Sequence, residues 1–377
     1  MTSWKVPLYK IYWDKEDVNR VAEVITQGMF WATGANIEKF ERTVADRIGK
    51  KYAAAFNSGT SALHAILLAY KIKKGDEVIV PSFTFIATAN SMLFVGAKPV
   101  FADVETETYG LDPEDVKEKI TSRTKAIMPI HCGGLPSRIN ELKEIAEDHK
   151  LLLLEDAAES LGAKVNGKPV GSFGDASMFS FCGNKVITTG EGGMIVTDEQ
   201  DVYERLKLIR SHGRAETEDY FTSARKMDYV ALGYNWRMSN ITAALGISQL
   251  AKLDKAISLR RKNAAYMSKR LSNISGIQVP KSPAGYFHVY QMYTVEVNDE
   301  KRSRDEIKDH LTDKGIMTKV YFFPVHLTQF YREKYGFQKG ELPVTEELSE
   351  RVLTLPMYAS MTKEEMTYVI SSIKERF

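Results

Sequence analysis

The stretch SMFSFCGNKVITTGEGGMIV, residues 177–196, decides how the chain is read. A strand-like run, Ser177–Phe181, stops at Cys182-Gly183-Asn184 and presents Lys185. The chain then turns through Gly190-Glu191-Gly192-Gly193 into a second apolar run, Met194–Val196. This pattern predicts a lysine carried on a tight hairpin. Glycines there allow positive φ and a close approach of backbone to a ligand. An amine attacks a carbonyl only while it is neutral, and burial disfavours the ammonium form, which is how enzymes prepare Schiff-base lysines. A solvated turn lysine has the same local sequence, so the residues upstream must decide.

Upstream, short apolar runs alternate with helical patterns. Strands are predicted at Tyr52–Phe56, Glu77–Val80, Pro99–Ala102, Ala126–Ile130 and Leu151–Leu154, followed by the two runs around Lys185. Amphipathic helices are predicted between them at 61–71, 85–95, 112–121 and 138–149, after two N-terminal helices at 14–28 and 37–48. Continuous apolar strands alternating with helices indicate an α/β domain with a mostly parallel sheet covered on both faces. Ligands in such sheets sit beyond the carboxyl ends of the strands. Further helices are predicted at 200–211 and 240–272. Past residue 273 the pattern changes to a strand at 289–297, a helix at 304–315, a strand at 317–321, a Pro-containing loop and a last helix at 363–376. The expected division is a large α/β domain over 1–250 and a smaller α+β domain over 251–377.

A chain of 377 residues has room for two cores. Net charge is +2, from 51 basic and 49 acidic residues with no long block of either sign, which argues against a nucleic-acid or membrane partner and for a small molecule. The two cysteines, Cys132 and Cys182, build no disulfide framework and have no metal-ligand spacing, so buried free thiols and no metal are expected. The N-terminus lacks the pattern of a signal peptide and no apolar run reaches membrane-spanning length, so a cytoplasmic location is expected.

Asn57-Ser58-Gly59-Thr60-Ser61 lies between a predicted strand and a predicted helix, where free N–H groups, hydroxyls and the helix dipole form an anion site; a plain N-cap is the alternative. Leu151–Leu154 runs into Glu155-Asp156, placing two carboxylates at a strand end. A carboxylate there can keep a pyridine nitrogen protonated and so make the ring an electron sink; capping of the next segment is the reading preferred for Glu155. An anion cradle at 58–61, an acid at 156 and an amine at 185 match the phosphate, ring nitrogen and aldehyde of pyridoxal phosphate.

The runs NSGTSAL (57–63), PSFTFIATAN (81–90), EDAAESLGA (155–163), GSFGDASMFSF (171–181) and NKVITTGEGGM (184–194) together resemble the DegT/DnrJ/StrS sugar aminotransferases. The likeness continues through GYNWRMSN (233–240), PVH (324–326) and LTLPMY (353–358). The resemblance implies a fold-type-I pyridoxal-phosphate enzyme acting on nucleotide sugars, with Lys185 as the Schiff-base and proton-shuttling lysine. It implies Asp156 on the pyridinium nitrogen, Phe85 stacked on the ring, and Gly59, Thr60, Ser61 and Ser180 on the phosphate. Asn235 would reach the phosphate from the neighbouring subunit, so a homodimer with shared sites is implied.

Glu159 stands where many relatives carry Gln or His beside the cofactor. His326 lies in a loop that relatives use near the sugar, with a packed loop histidine as the alternative. Arg214 and Arg237 are candidates for the donor carboxylate or the nucleotide diphosphate, with ordinary salt bridges as the alternative. The Gly183-Asn184-Lys185 form is similar to the perosamine synthase branch, which aminates GDP-4-keto-6-deoxymannose at C4 with glutamate as the expected donor. His131-Cys132-Gly133-Gly134 departs from the His-Leu-Tyr-Gly run of that branch, which leaves open other keto sugars on UDP or dTDP, at C3 or C4, and cyclitol ketones. A non-catalytic cofactor-binding regulator is the other class of function, and an intact Lys185, Asp156 and Thr60 argue against it.

Overall fold

The computed structural model describes residues 4–215 and 227–377. Two helices, α1 (Lys15–Thr26) and α2 (Ala35–Ile48), precede β1 (Tyr52–Phe56), α3 (Gly59–Ala69), β2 (Glu77–Pro81), α4 (Ile86–Phe94) and β3 (Lys98–Ala102). The alternation continues through α5 (Pro113–Lys119), β4 (Thr124–Ile127), α6 (Ile139–His149) and β5 (Leu152–Asp156). A short excursion through β6 (Lys164–Val165) and β7 (Lys168–Pro169) leads to β8 (Ala176–Ser180), β9 (Gly193–Thr197) and α7 (Gln200–Arg210). All seven strands expected from the apolar runs are present.

They form one sheet in the order β1-β9-β8-β5-β4-β2-β3. β9 is antiparallel to both its neighbours, and every other pair is parallel. Because β1 and β8 both oppose β9, they run with the parallel set, and all strands but β9 end at one edge. The apolar runs are uninterrupted because each face of the sheet is covered. Ala54, Phe56, Val78, Val80, Leu154 and Met178 pack with α3 and α4 on one side, and Phe179, Met194 and Val196 pack with Phe40, Val44 and Leu250 on the other.

Three expectations are corrected. The Lys185 segment is not a tight hairpin: residues 181–192 form a folded-back loop, pinned by Thr189 N–H to the Phe181 carbonyl (2.9 Å) and Phe181 N–H to the Gly192 carbonyl (2.9 Å). The long helix from 240 is two, α8 (Asn240–Ala251) and α9 (Leu253–Leu271), meeting at Lys252, which caps both with φ of −98° and ψ of −1° and whose amine is held by Asp14 and Asp17. Met317–Tyr321 forms no strand, because its bonds are split: Met317 N–H goes to Val6, while Lys319 pairs with Thr354.

The remaining elements are β10 (Ile277–Gln278), β11 (Tyr286–Phe287), β12 (Tyr293–Val297), α10 (Arg304–Asp313), α11 (Gln329–Tyr335), α12 (Pro343–Arg351), β13 (Val352–Leu355) and α13 (Lys363–Lys374). Of these, α11, α12 and β13 lie where the sequence pattern predicts a Pro-containing loop. Pro343 at the first helical position of α12 was an available signal. β12 starts at Tyr293 rather than 289 because Val289 and Met292 spend their N–H groups on the carbonyls of Gly134 (3.1 Å) and Gly133 (3.0 Å). A second core gathers Met267, Leu271, Tyr293, Val295, Leu311, Leu353 and Val369 around the sheet β10-β12-β13. We propose the division near residue 250, although the cores cross it: Val6 packs in this second core, while Val325, Tyr331 and Leu342 on one face and Leu253, Ile257, Val289 and Ala359 on the other pack in the cores of the large sheet. No described helix is long and apolar enough to cross a membrane.

Candidate active site

The shared edge of the parallel strands gathers the residues singled out by sequence. After β1, Ser58 adopts extended backbone and caps α3, its Oγ accepting Ser61 N–H at 3.1 Å while Ser61 Oγ donates to Asn57 Oδ1 at 2.7 Å. The N–H groups of Gly59 and Thr60 fall in the first turn of α3, where no intrahelical acceptor exists. Together with the positive end of the helix they make an anion cradle. Gly59 lets the cradle approach β8 closely, since a Cβ would lie 3.2 Å from both Cβ and Oγ of Ser180 at its end. Gly193 is held against the Ser58 carbonyl in the same way. Thr60 is exposed beside the cradle.

Asp156 ends β5 and is buried. One carboxylate oxygen accepts Thr88 Oγ1 at 2.9 Å and the other accepts Ala158 N–H at 3.1 Å. Burial pushes this carboxyl above its ordinary value, against the two hydrogen bonds and nearby Lys185, with Glu159 adding to the rise. A carboxylate desolvated in this way gains from a cation delivered to it, and a protonated ring nitrogen is one. Phe85 precedes α4, is exposed, and its carbonyl accepts Thr88 N–H at 3.1 Å, one turn from the threonine that touches Asp156. Lys185 is mostly buried, with its Nζ 3.3 Å from Glu159 Oε1. The other oxygen of Glu159 accepts Gly133 N–H at 2.8 Å.

Segment 235–237 runs beside the end of β1: Asn57 N–H donates to the Trp236 carbonyl (2.8 Å), Asn57 Nδ2 reaches the Asn235 carbonyl (3.4 Å), and Phe56 bridges to Arg237. Asn235 itself is exposed. Arg214 and Arg237 both donate to Ser211 Oγ at 3.2 Å, so one hydroxyl brings the two guanidinium groups together. His326 is packed into the fold. It is buried, with Nδ1 2.7 Å from Ser82 Oγ and Nε2 3.1 Å from Glu346 Oε1, so both ring nitrogens serve to pin the loop after β2 to α12. Burial holds this imidazole below its ordinary value, against the pull of Glu346. Both cysteines are free, Cys132 buried and Cys182 only half-buried.

Sequence reasoning missed the scaffold beneath the site. Glu155 is buried and accepts N–H groups from Gly171, Phe173 and Gly174 (2.7–2.8 Å), the Ser177 hydroxyl (3.0 Å) and a contact from His131 Nε2 (3.1 Å). Burial opposes its charge, yet His131 and the N–H groups outweigh it and hold the carboxyl below the usual 4.5. A depressed carboxyl stabilises the fold fully above its unfolded value and loses that contribution as pH falls below about 4.5. Glu155→Ala is expected to destabilise the protein by about 3 kcal/mol at neutral pH, by stranding several buried donors. Urea unfolding of the variant checks this, and an unchanged midpoint refutes it.

The phosphate cradle, the buried acid and the lysine fit pyridoxal phosphate: Gly59, Thr60, Ser61 and Ser180 for the phosphate, Asp156 for the ring nitrogen and Lys185 for the aldehyde. Comparison with known proteins gives the same cofactor. The family model described as "DegT/DnrJ/EryC1/StrS aminotransferase family" matches residues 12–374. The GDP-perosamine synthase of Escherichia coli O157:H7 is 39% identical over 370 residues, covering 98% of each chain. An Acidithiobacillus ferrooxidans UDP-N-acetyl-3-dehydro-alpha-D-glucosamine 3-aminotransferase is 36% identical, over 89% of this chain and 86% of its own. Among solved structures, Helicobacter pylori PseC, an aminotransferase of pseudoaminic acid biosynthesis, superposes with a TM-score of 0.93 at 28% identity, covering 99% of both chains. The fold is that of the type I pyridoxal-phosphate-dependent transferases. The chain therefore belongs to the DegT/DnrJ/EryC1/StrS aminotransferase family, whose cofactor is pyridoxal phosphate.

Proposed function

We propose that the enzyme moves an amino group from glutamate to the ketone of a nucleotide-linked 4-keto-6-deoxyhexose, with GDP-4-keto-6-deoxymannose, which gives GDP-perosamine, as the first candidate. The observation that carries the transamination is the convergence of the α3 cradle, Asp156 and Lys185 on one sheet edge. Bound pyridoxal phosphate supplies an electron sink for the charge left when a C–H bond next to nitrogen breaks. Lys185 Nζ would take that proton and return it, Asp156 would keep the ring nitrogen protonated, and the start of α3 would anchor the phosphate. The identity and full-length coverage shared with the Escherichia coli enzyme favour the GDP sugar; the Acidithiobacillus relative supports a UDP-linked 3-keto sugar as the second reading.

Absorbance of the purified enzyme tests both halves. Glutamate is expected to bleach the cofactor's visible band, and one member of a panel of GDP-, UDP- and dTDP-linked keto sugars to restore it. A band indifferent to every amino donor would refute the transamination.

Asn235 is proposed to complete the partner's phosphate site in a homodimer. It is exposed, and Val230 and Leu232 beside it, with Phe30 and Trp31 near α8, are exposed apolar residues that a second copy would cover. Mixing inactive Lys185→Ala and Asn235→Ala chains is expected to regenerate activity, since one site in each mixed dimer has both residues intact. Recovery no greater than the sum of the separate variants would count against a shared site.

A further inference from the structure

Two departures from the resembled sequence, a glutamate at 159 and the run His131-Cys132-Gly133-Gly134, meet in the structure. Glu159 divides its carboxylate: one oxygen is 3.3 Å from Lys185 Nζ and the other accepts Gly133 N–H at 2.8 Å. We infer that Glu159 is a built-in counter-ion for Lys185, a positioning residue that holds the amine at one point until a carbonyl ligand engages it. The inference rests on the functional reading above, in which Lys185 is the reacting amine.

The glycines make the clamp possible. Gly133 has φ of 60° and Gly134 φ of 92°, both in the left-handed region. A Cβ on Gly134 would lie 2.6 Å from Val289 Cγ2 and 2.9 Å from Gln291 N. Without side chains, the turn lets the 289–292 segment close onto it, with the Gly134 and Gly133 carbonyls accepting Val289 and Met292 N–H. Gln291 Nε2 then donates to the Asn184 carbonyl at 2.7 Å, one residue before the lysine. Segment 289–292 thus fixes both the backbone that holds Glu159 and the backbone that carries Lys185.

The pair's neighbours sharpen the charge argument. Asp156 on β5, Cys132 in the glycine turn and Tyr321 from the C-terminal part surround it. Burial raises the carboxyl, the thiol and the phenol above their ordinary values, and the Glu159 charge adds to each rise. Of these groups, Glu159 is the one in direct contact with the Lys185 amine, at 3.3 Å.

The test uses the full chain stripped of cofactor. Lys185 is acetylated with an active ester at a series of pH values and quantified by peptide mass spectrometry. In Glu159→Gln, which keeps the shape and an acceptor for Gly133 N–H, the labelling-rate profile is expected to move to lower pH by about one unit, the usual effect of removing one close opposite charge. Glu159→Asp should stay near the wild-type profile, because the charge is retained. Superimposable Glu159→Gln and wild-type profiles overturn the inference. Should the Gln variant not fold, Glu159→Asn against Glu159→Asp gives the same comparison. A parallel borohydride reduction of the wild type with pyridoxal phosphate separates the two ideas. No mass added at Lys185 refutes the functional reading, whereas an adduct with an unmoved profile refutes only the counter-ion.

Discussion

Replacing Lys185 with alanine is expected to lower turnover by about 10³-fold or more, since the residue supplies both the amine that engages the cofactor and the base that moves the proton. The fold should survive, because Lys185 sits in the 181–192 loop rather than in a strand, and its neighbours Gln291 and Cys182 bond to that loop's backbone. Steady-state transamination with glutamate, together with an unfolding curve, separates the two effects. A well-folded variant with activity within tenfold of wild type would remove the lysine from the chemistry.

Asp156→Asn carries the second large effect, and here catalysis and stability should move in opposite directions. The buried carboxyl titrates above its ordinary 3.8, with burial the leading cause. A raised folded value in an acid means that its ionised form is disfavoured by folding, so wild-type stability falls as pH rises through that range and stays lower at neutral pH. Asparagine removes this penalty, and the cofactor-free variant is expected to melt at or above the wild-type temperature at pH 7. Without the anion the ring nitrogen loses its partner, and transamination should fall by about 10²-fold while cofactor binds more weakly. Melting scans with and without cofactor, beside activity, check the pair. A variant destabilised without cofactor yet fully active would contradict both halves.

The readable part of the site is local in sequence. Gly59-Thr60-Ser61 follows an apolar run and opens a helix, Asp156 closes another such run, and Lys185 lies among glycines between two more. Each signal spans only a few residues, because backbone geometry at a strand end is set by the nearest neighbours. The groups that hold those residues were not readable. Thr88 reaches Asp156 across 68 positions of sequence, Gly133 reaches Glu159 across 26, and Gln291 reaches Asn184 across 107. None of these partners has a local pattern that marks it. His326 shows the converse: a histidine in a suggestive loop has both nitrogens taken by Ser82 and Glu346, side chains 244 and 20 residues away.

By itself, the amino-acid sequence determined that strands and helices alternate through the first half of the chain, where the anion cradle, acid and amine fall, and to which family the motifs belong. Apolar periodicity and turn chemistry are properties of neighbouring residues, so they survive without a fold. Only the tertiary structure decided that the 181–192 segment is a folded-back loop, that the helix after 240 breaks at Lys252, and that Glu159 stands between Lys185 and a glycine turn. Those outcomes depend on which distant backbone groups remain to be hydrogen-bonded once the sheet has closed, and a buried polar group takes whatever partner the packing brings.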